Sequence, residues 1–522
     1  MFGNDKGTLQ RWISMKNKMK LGILSILATG FSPIAAQAQS QGIGGPVGAA
    51  IDAFNNAVFT EIELFGESIE LIVIWMALPM LFLTLYLGFI NVRSFKPAFQ
   101  ILKGKYKDPN APGEVSQFQA LSTAVSGTVG LGNIAGVAVA ISLGGPGAAF
   151  WMVLIGFFAM TLKFSEVTLA VKYRKISANG TVSGGPMYYL GRGLEARGWG
   201  GIGKILAWAY AGVAIFSLLQ IAQVNQSYSQ FAAVTGFETP WIYGVATAIL
   251  TAVVIMGGIK SIAGVTAKLV PLMAFIYIGA ALFIIFSYWD NIPAAVGLIV
   301  KEAFRPEAGV GAVIAAMVWG MRRAVYSSEA GLGSATIAHA AAKTNEPVSE
   351  GLVALLEPFI DTVVICSMTA LVIIVTGAYQ IEGLTDIQMT SAAFNSVING
   401  FDWVLAVAVV LFAYSTIISW AYYTQKIWAF VMGESKTSIT IFRIVFCVAL
   451  IPGGVFTVQQ VYNVMDSIFL LMAIPNIIGI YLMASEIRRD TKDYFKRLKA
   501  GEIPTADELE ANTEGDAVKV GA

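Results

Sequence analysis

Two hydrophobic stretches about two hundred residues apart carry the same short glycine pattern, Ser126-Gly-Thr-Val-Gly130-Leu131-Gly132-Asn133 and Ser327-Ser-Glu-Ala-Gly331-Leu332-Gly333-Ser334. Glycine weakens a helix interior by roughly 1 kcal/mol relative to alanine, so each run favours a local break. A discontinuous helix exposes unpaired amide N–H groups at the start of its second half and unpaired carbonyls at the end of its first half. The amide end attracts a carboxylate and the carbonyl end holds a cation such as sodium. Ser126, Thr128 and Asn133 add neutral oxygens around the first break, and hard cations prefer oxygen ligands. The chemistry suited to such a place is binding of a small cation together with a zwitterion.

The elements that must position these residues follow from composition. With 56% hydrophobic and 13% charged residues and a positive mean hydropathy, the chain has more apolar surface than one soluble core hides. It reads as an all-α integral membrane protein. Apolar runs able to cross about 30 Å of hydrocarbon recur, and about eleven are predicted. They are Ile69 to Ile90, Ala120 to Leu143, Ala148 to Val171, Ile205 to Phe231, Trp241 to Met256, Leu269 to Phe286, Val310 to Ala341, Leu352 to Val375, Val404 to Val431, Ile439 to Pro452 and Met465 to Met483. Matching breaks in two halves of such a protein point to a transporter's binding site.

Ahead of them, Arg11, Lys16, Lys18 and Lys20 precede a short apolar run from Leu21 to Ile34, followed by Ala36-Gln-Ala38. That pattern predicts a secretory signal peptide over residues 1–38. Residues 39–66 then form a periplasmic segment, with an acidic approach helix carrying Glu61, Glu63, Glu67 and Glu70. Residues 67–485 are the transmembrane domain and 486–522 a tail. Basic residues gather on the cytoplasmic side of membrane proteins. With an outside start, the loops due to face inward hold Arg93, Lys96, Lys103, Lys105 and Lys107, then Lys172, Arg174, Lys175, Arg192, Arg197 and Lys204. The outward segments Thr235 to Pro240, Gly377 to Asp402 and Pro452 to Asp466 hold no Lys or Arg, and only Lys301 and Arg305 blur the pattern. The N-terminus is therefore expected outside after cleavage and the tail in the cytoplasm, which requires an odd number of spans.

Several classes are excluded or disfavoured. His339 is the only histidine, and no Walker-type phosphate loop, Cys cluster or zinc-protease helix occurs. No enzyme chemistry, cofactor or nucleic-acid partner is indicated. Cys366 and Cys447 lie in apolar spans and read as small buried hydrophobes. Gln220 stands one turn from Phe216 in the fourth span, with Gln223 and Asn225 close behind; a buried amide faces the bundle or a cavity. Lys163, Glu166, Arg322, Arg323, Glu329, Glu357 and Asp361 are intramembrane charges, and the expected role is an inner-gate ion-pair network. If the second break fell instead at Trp319-Gly320, the two arginines would move inward and Tyr326 would leave the pocket.

Gly127-Thr-Val-Gly-Leu-Gly-Asn-Ile-Ala-Gly-Val137, Gly144-Gly-Pro-Gly-Ala-Ala-Phe-Trp-Met152, and Arg323-Ala-Val-Tyr-Ser-Ser-Glu-Ala-Gly-Leu-Gly-Ser-Ala335 followed by Ala338-His-Ala-Ala-Ala342 resemble the alanine or glycine:cation symporter family. The resemblance covers roughly Ile69 to Met483. It departs at Val153 and Ser328, where the family more often has Trp and Asn, and this bears on substrate preference rather than fold. It implies a leucine-transporter-type fold: five helices and an inverted copy of five, with two broken helices, after one extra N-terminal span. Carried over, Gly130, Leu131 and Gly132 face a substrate carboxylate, and Asn133 faces sodium with the Val129 carbonyl. Ser415 and Thr416 are the hydroxyls that complete a sodium site in this fold, with Ser126 beside them. Thr128, Phe216, Gln220, Tyr326, Ser327, Thr416 and Trp420 complete the expected substrate pocket. The function so read is sodium-coupled uptake of a small neutral amino acid, alanine or glycine, across a bacterial inner membrane, with membrane lipid as the surrounding partner. Proton coupling would require a buried carboxylate such as Glu329; a channel or a membrane-embedded sensor are the readings outside symport.

Overall fold

The computed structural model describes residues 45–511 except 65–66, 305–309, 385, 398 and 456–458. The expected signal peptide over 1–38 lies outside the described residues. Among the described residues seven helical segments are long and apolar enough to cross a membrane. The other four expected spans appear as shorter helices or interrupted pairs. In chain order the bundle comprises α1 (Leu71–Tyr86), α2 (Gln117–Thr128) and α3 (Ala135–Gly144). Then come α4 (Ala148–Lys172), α5 (Gly200–Ala214), α6 (Ile221–Thr235), α7 (Pro240–Ile255) and α8 (Gly258–Ser287). The second half holds α9 (Val310–Ser328), α10 (Thr336–His339), α11 (Pro347–Ala354), α12 (Asp402–Met432), α13 (Lys436–Leu450) and α14 (Gln459–Ala500).

Both expected breaks form, for different local reasons. α2 starts at a capping box in which the Ser116 hydroxyl accepts from the Gln119 N–H and the Gln119 side chain accepts from the Ser116 N–H. It ends at Val129, whose extended backbone (ψ 98°) stops the helix before a 3-10 turn over Leu131–Asn133. Between α9 and α10, Glu329, Gly331 and Gly333 all adopt left-handed φ values of 49°, 98° and 75°, which no right-handed helix contains. α9 runs unbroken through Trp319 and Gly320, so the second break lies at Gly331-Leu-Gly333 and Tyr326 stays beside it.

The broken helices pack crosswise: α9, the first half of the second, lies against α3, the second half of the first, and α10 lies against α2. First half meets second half, so the two run in opposite directions. This is the geometry of an inverted repeat, with α1 as the extra span. α12 passes through the middle, packed against α2, α6 and α8.

Three features differ from expectation. The fourth span is not continuous over Ile205 to Phe231: a 3-10 turn at Ile215–Leu218 separates α5 from α6. No proline marks it. Instead the Ser217 hydroxyl donates to the Ala214 carbonyl at 2.6 Å and Gln220 Nε2 to the Ser217 carbonyl at 2.8 Å, so side chains absorb the freed backbone groups. The eighth span contains a π-helical stretch, Phe359–Cys366. The acidic approach segment is a β-hairpin rather than a helix, Glu61–Leu64 paired antiparallel with Glu67–Glu70 in the register Glu61↔Glu70. In Glu61–Leu64 polar and apolar residues alternate with period two, which suits a strand.

Gly333 tests the second break as a structural device. A Cβ there would lie 2.4 Å from Pro186 Cγ on left-handed backbone. Gly333→Ala should destabilise the protein by about 1–3 kcal/mol or more, seen as a lower unfolding temperature in detergent. Gly201→Ala, on a helix with open space around it, should leave that temperature unchanged or slightly raised.

Candidate binding site

A cavity of about 460 Å³ lies against both breaks. From the first break it is lined by Thr128, Gly130 and Gly132, from α6 and its start by Gln220, Gln223 and Gln226, from α9 by Arg323 and Tyr326, and from α12 by Thr416 and Trp420. Trp420 is held edge-on by Tyr423 and Phe469, with ring centroids 5.4 and 4.8 Å away. Gly132 faces open space, whereas a Cβ on Gly130 would lie 3.2 Å from Thr416 Oγ1. Phe216 packs against the core and is not part of the lining. Leu131 belongs to the 3-10 turn. Ser126, Val129, Asn133, Ser327 and Ser415 are buried behind the lining.

Apart from Val129, the residues expected to hold a cation fall into two clusters. In the first, the Ser126 carbonyl accepts from Thr416 Oγ1 at 3.1 Å and from Ser415 Oγ at 3.4 Å, while both hydroxyls also reach the Phe412 carbonyl at 2.9 Å. The Ser126 hydroxyl pairs with that of Ser419. α12 thus lays a row of hydroxyls along the carbonyl end of α2. In the second cluster, Asn133 Oδ1 accepts the Gly130 N–H at 2.9 Å. Asn133 Nδ2 faces Ser327 Oγ at 2.9 Å and the carboxylate of Asp361. Ser327 Oγ lies 3.2 Å from both Asp361 oxygens, and Thr362 Oγ1 donates to Asp361 Oδ2 at 3.0 Å. Among the described residues Asp361 has no Lys, Arg or His partner. It is a fully buried carboxylate, joining the two breaks, with only neutral donors around it. Such a group favours a nearby cation or proton.

Asp361 therefore leaves the gate network in which its sequence position placed it. The π-helical stretch around it turns the side chain toward Asn133 and Ser327, and wide turns of this kind occur often at functional sites. The remaining charges divide between the two ends. Lys163 Nζ lies 3.1 Å from Glu357, and His339 lies 2.6 Å from Glu350 and 3.6 Å from Glu357, all fully buried. Arg322 belongs elsewhere, paired at 2.9 Å with Glu70 of the hairpin, and Arg323 lines the cavity together with Asp466. Both arginines lie on the near side of the break, in α9, while His339 and Glu350 follow it. That is why one predicted network is two.

The end away from Arg323 is closed by backbone. Lys343 N–H donates to the Val115 carbonyl and Glu114 N–H to the Ala341 carbonyl, both at 2.8 Å. Arg174 spreads its guanidinium over four carbonyls, of Pro112, Ala340, Ala342 and Thr344, at 2.7 to 2.8 Å. At the second break, Asn476 Nδ2 donates to the Gly331 carbonyl at 2.8 Å and to Glu166 at 2.6 Å. Glu329, on the cavity wall, accepts from Ser334 Oγ at 2.8 Å.

Sequence reasoning overlooked Gln223, Gln226 and Arg323 as lining groups. The signal for the first two was present: glutamines at 220, 223 and 226 recur at helical spacing on an otherwise apolar span. Gln223 Oε1, Tyr326 Oη and Arg323 Nε are buried with no hydrogen-bond partner among the described residues. Polar atoms left unpaired beside a cavity are what a polar ligand would satisfy.

Two antiparallel broken helices around a polar cavity define a secondary transporter of the leucine-transporter-type fold. The comparisons narrow this. A model of the sodium:alanine symporter family matches residues 52–508, and the chain belongs to that family. The sodium/alanine symporter AgcS of Methanococcus maripaludis is 41% identical over 433 residues, 82% of this chain and 94% of that protein. A transporter of Haemophilus influenzae is 37% identical over 427 residues, 80% and 92% of the two chains. The crystal structure of MhsT in complex with L-phenylalanine, 16% identical, covers 71% of this chain and 89% of that one with a TM-score of 0.50, which shows the shared fold. The protein is thus a multi-pass membrane symporter, not an enzyme, coupling amino-acid transport to sodium.

Asp361→Asn keeps the size of the side chain, removes its charge and turns one accepting oxygen into a donor. Sodium titration of alanine binding to the purified variant should show the half-saturating sodium concentration raised about tenfold, roughly 1.4 kcal/mol. An unchanged titration would make Asp361 a structural acceptor only.

Proposed function

We propose that this symporter carries alanine, with glycine as a second substrate, inward across a bacterial inner membrane together with sodium. The supporting observation is the pair of oxygen-rich clusters flanking the first break, next to a cavity whose polar atoms await a ligand. Sodium is held by the Ser126 and Val129 carbonyls with Ser415 and Thr416. Asn133, Ser327 and Asp361 form the second place able to hold a cation, and the charge there draws the sodium toward the substrate. The substrate's ammonium group reaches Gln223 Oε1 or the Glu329 carboxylate, and its carboxylate approaches the backbone at Gly132, where no side chain intervenes. Trp420 and Tyr326 limit the side chain to a small one.

In this reading the Arg323 and Asp466 end of the cavity faces outside, in line with the arginine and lysine content of the loops, and the N-terminus is external and the tail cytoplasmic. The closed end, held by Arg174 and the pairing of residues 113–115 with 341–343, is the inner gate. Sodium and substrate together satisfy the groups at the breaks. Closure of the outer end then allows the inner pairing to part. The membrane potential supplies about 2.3 kcal/mol per charge per 100 mV, in addition to the sodium gradient.

Asp361 also favours a second reading, in which a proton replaces sodium at the second cluster. Uptake of labelled alanine into proteoliposomes decides between them: an imposed sodium gradient should drive accumulation, and a pH gradient in sodium-free buffer should not. Excess glycine should compete and leucine should not. Gly132→Val, which adds bulk in open space at the cavity wall, should abolish alanine binding while the protein remains monodisperse. Normal alanine binding by that variant would remove Gly132 from the site.

A further inference from the structure

α1 ends in a Schellman turn: Phe89 N–H donates to the Thr84 carbonyl at 2.8 Å and Gly88 N–H to the Leu85 carbonyl at 3.1 Å. Gly88 takes the left-handed conformation, φ 67°, that such a turn requires. The turn reverses the chain so that Arg93 folds back, its Nη2 donating to the Leu87 carbonyl at 2.9 Å. Arg93 also lies over the Phe495 ring of α14 at 5.6 Å, and one hydrogen bond leaves most of a guanidinium's five donors free. Opposite, α14 presents Arg488 and Lys492, one helical turn apart on one face. Arg93, Arg488 and Lys492 line a cleft of about 200 Å³ between the two helices.

The cleft is uniformly positive. No acidic residue lines it, and among the described residues none of its three cations has an ion-pair partner. The neighbouring cleft on the other side of α14 is different, because there Lys172 and Arg197 are neutralised by Glu486 and Asp490. Arg488 is instead stacked over the Tyr86 ring, 4.6 Å from its centroid. Tyr86 stacks on Phe82, which meets Tyr481 of α14, each pair at 5.3 Å. Aromatic rings in such a cluster mark the membrane–water boundary. Toward the bilayer from it, Leu78, Leu81 and Leu85 are 55%, 42% and 58% exposed and lie along one face of α1. A lipid-facing apolar lane therefore leads directly to three unneutralised cations.

We propose that this cleft binds the headgroup phosphate of an anionic phospholipid, whose acyl chains lie along Leu78, Leu81 and Leu85. Guanidinium and ammonium donors match phosphate oxygens, and basic clefts between membrane helices recognise anionic headgroups. A soluble phosphate would use the cations but gain nothing from the apolar lane, which is why a lipid is the occupant. The bound lipid bridges α1, the span outside the repeat, to α14, the last helix of the repeat.

Native mass spectrometry of the full chain, purified in detergent and supplied with phosphatidylglycerol, phosphatidylethanolamine or inorganic phosphate, tests this without reference to transport. Phosphatidylglycerol should be retained in preference to phosphatidylethanolamine, and R488Q/K492Q should lower its retention about tenfold or more, the scale of two basic contacts at a membrane surface. K496Q/K499Q, which removes equal charge from the same helix outside the cleft, should leave retention unchanged. The altered side chains of both variants are exposed, so folding is preserved and is checked by gel filtration. Equal loss in the two variants, no preference between the lipids, or displacement of phosphatidylglycerol by millimolar inorganic phosphate would each overturn the proposal.

Discussion

A backbone amide or carbonyl inside the bilayer needs a partner, because hydrocarbon supplies none and each unsatisfied group costs several kcal/mol. Everything at the centre of this protein follows from breaking two helices under that constraint. The carbonyl of Ser126 is met by Thr416 and Ser415, that of Asn133 by Thr369 at 2.9 Å, that of Ile134 by Thr390 at 3.2 Å and that of Gly331 by Asn476. The partners come from helices remote in sequence, so the breaks hold the bundle together as much as they interrupt it. They also leave oxygens concentrated at the first break. The groups that stabilise the interruption are the ones proposed to hold sodium.

The distribution of charge follows similar logic at larger scale. Lys163, Glu357, His339 and Glu350 are fully buried and tied to one another, at the end where residues 113–115 pair with 341–343. Breaking one member of such a chain leaves an uncompensated buried charge, which is costly. At the other end a single pair stands among the described residues, Arg322 partly exposed and Glu70 of the hairpin buried. One end is thus locked by several ion pairs, backbone pairing and the Arg174 clamp, and the other by the single Arg322–Glu70 pair beside the open cavity. A transporter needs two ends that open in turn, and here their energetic construction differs.

Much of this was legible without coordinates. Composition and the recurrence of long apolar runs dictate a helical membrane bundle, since only such segments satisfy their own backbone in hydrocarbon. The glycine runs at 127–132 and 331–333 locate both breaks, because glycine's lack of a side chain acts locally. The breaks in turn mark Thr128, Gly130, Gly132 and Tyr326 as neighbours of a cavity, the family resemblance adds Thr416, and Gln220 announces itself as an amide that lipid will not accept.

What the tertiary structure alone decided is who meets whom. Asn133 and Ser126 are seven residues apart, yet the 3-10 turn sends them to different clusters, one toward α12 and the other toward Asp361. Asp361 and Glu357, one turn apart, separate in the same way: along the π-helical stretch the side chain expected in a gate meets Asn133 and Ser327 instead. The interruption near Gln220 had no glycine to announce it, because hydroxyl and amide side chains supply the missing partners only once the chain has folded. Periodicity fixes which face of a helix is polar, but a single irregular turn redirects that face, and irregular turns are stabilised by contacts from other helices.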